Sequence, residues 1–301
     1  MRVDPFYVTN LVGSLDQTQL TEQQLTVELS SGARVNSLSE DPLASGENVL
    51  LLNQIGQDDS FTQSSSQVQG QLQVADTALG SVVSQLTQAI SLATSANNGT
   101  MNSSDIKSIS NQISGILGEV ETLANSSYQG QYIFAGGKSS AAPFATSTTT
   151  SPGVTTYSGD EGVNYLTTPN GQSIQLNVPG DQIFTASGSN SVFGALNNLV
   201  ADYASGSVNT AQAVSDTTAL STALNYVSQQ RVTVDNSITQ LTAASDAVSS
   251  EQTQLTVAQT NLMQADVAQV STQLSLTETQ QTALEDVISQ LGSGSLFDKL
   301  Q

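Results

Sequence analysis

Both ends of the chain carry heptad stripes of apolar residues. Near the start, Val8, Leu11, Leu15, Leu25 and Leu29 follow alternating spacings of three and four, with Thr18 and Glu22 filling the remaining seam positions. Near the end, Val267, Val270, Leu274, Leu284, Ile288 and Leu291 repeat the pattern, with Thr277 and Gln281 as polar interruptions. A single helix cannot bury such a stripe by itself. The simplest partner for each end is the other end, which predicts a terminal coiled coil built from residues 1–40 and 263–301. Polar seam residues trade stability for register. The termini are therefore expected to order only when subunits stack, with an ordinary intramolecular coil as the alternative.

Between the stripes the chain divides into helical and irregular stretches. Gly32 reads as a left-handed stop, and Asp41 followed by Pro42 reads as an N-cap with proline in the first turn. A helix is predicted from Pro42 through the nineties, carrying Val68, Leu72, Ala75, Leu79, Val82, Leu86, Ala89 and Ala93 on one face. Asn98–Gly99 is a turn signal. A third helix starts at Ser103 or Ser104 and places Ile106, Ile109, Ile113, Ile116, Val120 and Leu123 inward. After Ala124 the periodicity fails. Pro143, Pro152, Pro169, Pro179 and many glycines punctuate the next stretch, while Ile174, Leu176 and Val178 alternate like a half-buried strand. Asn170–Gly171, with Val163 and Tyr165 on its other side, reads as a hairpin turn. Residues 139–192 are thus read as a small β-rich outer domain, a disordered linker being the alternative.

From Phe193 the helical pattern returns. Leu220, Val227, Val234, Leu241, Val248, Leu255 and Leu262 recur every seven residues without a gap. A continuous helix over that series would be about 65 Å long. The register slips near Met263, which predicts a joint before the terminal stripe. Residues 41–138 and 193–262 are read as the core of a helical rod. The predicted fold is mainly α: a long antiparallel rod and coiled coil drawn from both termini, with a small inserted β domain.

Composition excludes several function classes. The 301 residues carry a formal net charge of −20, and only Arg2, Arg34, Lys107, Lys138, Arg231 and Lys299 are basic. Six scattered cations cannot neutralise a run of phosphates, so no nucleic-acid partner is expected. No apolar run approaches the roughly 18 residues that span a bilayer, so membrane insertion is not expected either. Cysteine and histidine are absent, which removes disulfides, Cys/His metal sites and His-based nucleophilic centres. The neighbouring carboxylates Glu40–Asp41, Asp58–Asp59, Asp160–Glu161 and Glu285–Asp286 read as solvated faces or helix starts, not acid–base pairs. No catalytic residue, cofactor or metal is assigned. Asp4 and Pro5 interrupt any apolar signal core, so export without a cleaved signal peptide is an expectation. Arg231 sits alone on a heptad seam, either paired with Glu119 or Glu121 on a neighbouring helix or extended towards solvent.

Specific segments carry a family resemblance. LSSGARVNSLSEDPLASG at Leu29–Gly46 resembles the N-terminal signature of the flagellin superfamily. YIFAGGKSSAAPF at Tyr132–Phe144 is similar to the segment that leaves the helical core in the hook–filament junction proteins, the third hook-associated proteins of bacterial flagella. GDQIF at Gly180–Phe184, SVFGALNNLVADY at Ser191–Tyr203 and the SLFDKL tail continue the likeness. The resemblance implies a structural adaptor of the flagellum that joins hook to filament by self-assembly through its terminal coils. It also implies a ring of copies contacting the first hook-associated protein on the hook side and flagellin or the filament cap distally. A type III export chaperone would hold the C-terminal helix, and the protein would be secreted to the flagellum. Flagellin itself is the near alternative. A surface adhesin with a helical stalk is the alternative from another class.

Overall fold

A computed structural model describes residues 5–147, 155–186 and 191–296. Among the described residues, seven helices and six short strands follow in order: α1 (Pro5–Ser31), α2 (Pro42–Ala96), α3 (Ser103–Ala124), β1 (Ser127–Tyr128), β2 (Gln131–Tyr132), β3 (Phe144–Thr146), β4 (Thr155–Tyr157), β5 (Tyr165–Thr167), β6 (Ser173–Gln175), α4 (Gly180–Phe184), α5 (Val192–Ala204), α6 (Thr210–Met263) and α7 (Val267–Leu296). The chain forms two compact units, residues 1–57 with 251–301 and residues 58–250. Both boundaries fall inside the long helices α2 and α6.

Helix ends follow local chemistry. Gly32 takes φ +69° and closes α1, its N–H donating to the Glu28 carbonyl at 2.8 Å. The Asp41 carboxylate accepts the Ala44 N–H at 2.9 Å and caps α2 at Pro42. Asn102 caps α3, accepting from the N–H groups of Ser104 and Asp105 at 2.9 and 3.0 Å. The sequence pattern brackets α2 and α3 closely. It does not reveal the break between α5 and α6, where Gly206 at φ +79° sits against Ser103.

The larger unit holds one continuous core. The α2 residues Leu72, Leu79, Leu86 and Ala93 face Ile106, Ile113 and Val120 of α3, together with Leu220, Val227, Val234, Leu241 and Val248 of α6. These positions are buried on all three helices, and at roughly 25 cal/mol per Å² their combined apolar area is the main drive to fold the unit. Leu255 and Leu262 continue the α6 series but are only half-buried and belong to the smaller unit.

Among the described residues, three antiparallel strand pairs follow α3: β1 with β2, β3 with β4 and β5 with β6. The Asn170–Gly171 turn closes the last pair, with Gly171 at φ +87° and Leu166 opposite Ile174. Leu176 and Val178 lie beyond the strand, although the Leu176 N–H still reaches the Asn164 carbonyl at 2.8 Å. Residues 148–154 and 187–190 of the predicted outer region lie outside the described residues. The described strands do not form a separate core, since Phe144 and Ile174 join the same cluster as the helices.

Candidate assembly surfaces

In the smaller unit α1 packs along α7. Leu25, Ala265 and Val270 are buried there and Leu274 packs against them. Leu11, Leu15, Leu284 and Ile288 are half-buried along the same pairing. Leu29 is 36% exposed and Val267 52% exposed, so the pairing of the two helices buries neither. The side chains of Val8 and Leu291, and residues 297–301 of the SLFDKL tail, lie outside the described residues. Of the polar seam positions, Thr277 is buried and Thr18, Glu22 and Gln281 are half-buried. The threonines tolerate the seam because their hydroxyls donate within their own helix, Thr18 to Ser14 and Thr277 to Gln273, each at 2.8 Å.

The SSGAR signature has a geometric meaning that its sequence alone does not give. Residues 32–34 are stitched to the joint between α6 and α7. The Ala265 N–H donates to the Gly32 carbonyl at 2.9 Å, and the Arg34 N–H donates to the Met263 carbonyl at 2.7 Å. The Arg34 guanidinium caps the end of α6, donating to the Leu262 carbonyl at 3.0 and 3.3 Å. A cation there also suits the negative end of the helix dipole. The same guanidinium reaches the Asp41 carboxylate at 3.2 Å. The Ala44 N–H, and after it Arg34, hold the Asp41 carboxyl below its ordinary range. Glu40 is lowered by the Asn36 N–H that it accepts at 2.7 Å. This carboxylate pair is thus engaged in shaping the turn.

The smaller unit also exposes apolar surface on a scale the larger one does not. Among the described residues, every exposed large hydrophobic side chain except Tyr165, Val214 and Val232 lies in it. Phe6, Leu20 and Val27 share one face of α1 at multiples of seven, and Leu20 is 60% exposed. Leu43 and Leu50, one heptad apart on α2, are 75% and 70% exposed. Exposed apolar side chains at heptad spacing on α1 and α2 make these faces candidates for an interaction surface.

In the larger unit, the segments after α3 converge on one aromatic cluster. YIFAGG contributes Phe134, SAAPF contributes Phe144, GDQIF contributes Phe184 and SVFGALNN contributes Phe193. Phe144 sits 5.3 Å from both Phe184 and Phe193 and 5.1 Å from Tyr157, while Phe134 meets Phe184 edge-on at 5.4 Å. The glycines of the motif are required by close backbone approach. A Cβ on Gly136, which has φ +65°, would fall 2.2 Å from the Asp160 carbonyl. The Asp160 carboxylate accepts the N–H groups of Gly137 and Gly162 at 2.6 and 3.0 Å, which lowers its pKa. The Tyr157 hydroxyl donates to the Asp160 carbonyl at 2.8 Å, and burial pushes its pKa up to about 12. Among the described residues no group of three or more acidic side chains could hold a metal ion, and no helix is long and apolar enough to cross a membrane.

The features so far define a mainly helical chain with short antiparallel strand pairs after α3. Residues 8–139 match the bacterial flagellin N-terminal helical region. Flagellar hook-associated protein 3 of Salmonella typhimurium is 30% identical over 191 residues, covering 62% of this chain and 57% of that protein. Flagellin 1 of Proteus mirabilis is 30% identical over 141 residues, covering 44% of this chain and 38% of that protein. The chain thus spans about half the length of the curated relatives it matches. A hook-associated protein structure from Vibrio parahaemolyticus, described as putative in function, superposes with a TM-score of 0.67 at 19% identity, covering 75% of this chain and 100% of that one. The likeness to that structure is one of fold: long helices with a few short antiparallel strand pairs.

Proposed function

We propose that this chain is a non-catalytic structural subunit of the bacterial flagellum that joins hook to filament. The observation that supports this reading best is the concentration of exposed apolar side chains on the terminal helices and the first turns of α2. A free subunit gains nothing from that surface, whereas a ring of copies would remove it from water. Leu11, Leu15, Leu25, Val270, Leu274, Leu284 and Ile288 would hold the terminal coil, with Val8 and Leu291 extending the stripe. Leu29 and Val267, exposed in the single chain, would be covered by neighbours. The ring would contact the first hook-associated protein on one side and flagellin or the filament cap on the other. An export chaperone would hold the α7 region beforehand, and the subunit would reach the flagellum through the type III apparatus.

The longer match to a hook-associated protein than to a flagellin favours the junction over the filament. Electron microscopy of the purified protein, alone and with isolated hooks carrying the first hook-associated protein, tests the choice. Short caps on hook tips and no free filaments are expected. Long filaments growing from the protein alone would make it a filament subunit, and no binding to either would remove both readings.

A further inference from the structure

The apolar seams of the larger unit are self-similar under a shift of seven residues. On α2, Leu72, Leu79, Leu86 and Ala93 recur every seven, and so do Ala75, Val82, Ala89 and Ala96. On α3, Ile106, Ile113 and Val120 do the same, and on α6 the buried series runs Leu220, Val227, Val234, Leu241 and Val248. Sliding one helix past another by a heptad would again place apolar residues opposite apolar residues. Burial alone therefore discriminates poorly between the native register and its neighbours. A lone polar group in a heptad seam can supply that discrimination.

One cation–anion pair is placed to do so. Arg231 is the sole basic residue of α6, and between Ser60 and Ala96 Asp76 is the sole carboxylate of α2. Arg231 Nε donates to Asp76 Oδ1 at 2.5 Å and Nη2 donates to Oδ2 at 3.2 Å, a two-point contact across the helices. The fit extends beyond the pair. The guanidinium lies over Gly80, where an added Cβ would come within 3.4 Å of Arg231 Cζ. Asp235, one turn along α6, adds a second carboxylate near the same cation. Shifting by seven residues either way would set Gln69 or Val83 in the place of Asp76. The Arg231 side chain is 40% exposed, so the pair adds little to stability. Its directional contact can still rank one register above another.

We infer that Arg231 and Asp76 are positioning residues that select the register of α6 against α2 as the unit folds. The chain contains no cysteine, so introduced pairs report register cleanly. Gln69 and Thr242 touch at 3.0 Å in the native arrangement, and Q69C/T242C reads it. Q69C/S249C and T62C/T242C read one-heptad slips in the two directions. Each pair is placed in the full-length parent, in R231M/D76L and in the charge-swapped R231D/D76R, and cross-linked after refolding from denaturant.

The parent is expected to form the native cross-link almost alone. R231M/D76L is expected to keep its helical content while slipped cross-links rise severalfold, and the charge swap is expected to return them to the parent level. Native cross-links alone in R231M/D76L would overturn the inference, as would slipped cross-links persisting in the swap. The test reads a single chain, so it is independent of whether the protein decorates hooks.

Discussion

The two compact units treat the same kind of side chain in opposite ways. In residues 58–250 the heptad leucines, isoleucines and valines of α2, α3 and α6 point into one shared core. In residues 1–57 and 251–301 the buried cluster is limited to Leu25, Ala265, Val270 and their neighbour Leu274, while Leu20, Leu43 and Leu50 face water. The larger unit satisfies its apolar surface within the chain. The smaller one leaves much of it exposed. Apolar periodicity therefore has two meanings here: in the larger unit it becomes buried stability, and in the smaller unit, on the proposed reading, it becomes a docking face.

Substitutions sharpen this contrast. Leu79→Ala or Leu220→Ala, at fully buried positions, should lower the unfolding free energy by about 2–5 kcal/mol in chemical denaturation. Gly136→Ala would drive a Cβ into the Asp160 carbonyl, and about 1–3 kcal/mol should be lost, visible as a lower melting temperature. Asp41→Ala removes the α2 cap and should lower the denaturation midpoint slightly, with a local rise in amide exchange at Leu43 and Ala44. Leu20→Ser and Leu50→Ser should leave monomer stability within about 0.5 kcal/mol of the parent while weakening self-association in sedimentation by about tenfold or more. A terminal variant that destabilised the monomer like Leu79→Ala would break the comparison.

The two units also differ in pH response, and the raised carboxyl lies in the larger one. Burial, and then the neighbouring Asp216 carboxyl, push Asp202 up from its ordinary 3.8 to about 6. The folded state thus binds a proton that the unfolded chain has released. The associated stability is fully present below about pH 4 and is lost as pH rises through about 6. Asp202→Asn should flatten this decline, measured as denaturation midpoints across that interval. The lowered carboxyls Glu40, Asp41 and Asp160 act in the opposite sense, and their contribution fades as pH falls below the carboxylate range.

Much of the helical frame was legible because its signals are local. Gly32, Asp41–Pro42, Asn98–Gly99 and the failure of periodicity after Ala124 mark helix ends that the structure places within a residue or two. The Asn170–Gly171 hairpin was legible for the same reason. The aromatic cluster was not, because Phe134, Phe144, Phe184 and Phe193 come from segments far apart in sequence and carry no shared period. Neither was the partner of Arg231, which is Asp76 on α2 and not Glu119 or Glu121 on α3. Glu121 is instead taken by Thr146, whose N–H and hydroxyl it accepts at 3.0 and 2.6 Å. At the terminal seam a strict three-four count puts Leu29 and Val267 in register, whereas both remain partly exposed in the paired helices. The last turn of α1 and the first of α7 are instead governed by the Gly32–Ala265 stitch.

Amide hydrogen exchange, run on the free subunit and on subunits assembled at hook tips, tests the division between the two units most directly. The core amides of α2, α3 and α6 within residues 58–250 are expected to exchange slowly in both states. Those of α1 and α7 should be weakly protected in the free subunit and should slow markedly on assembly. Terminal helices equally protected in both states would contradict the account, because their apolar faces would then be neither marginal alone nor covered by neighbours.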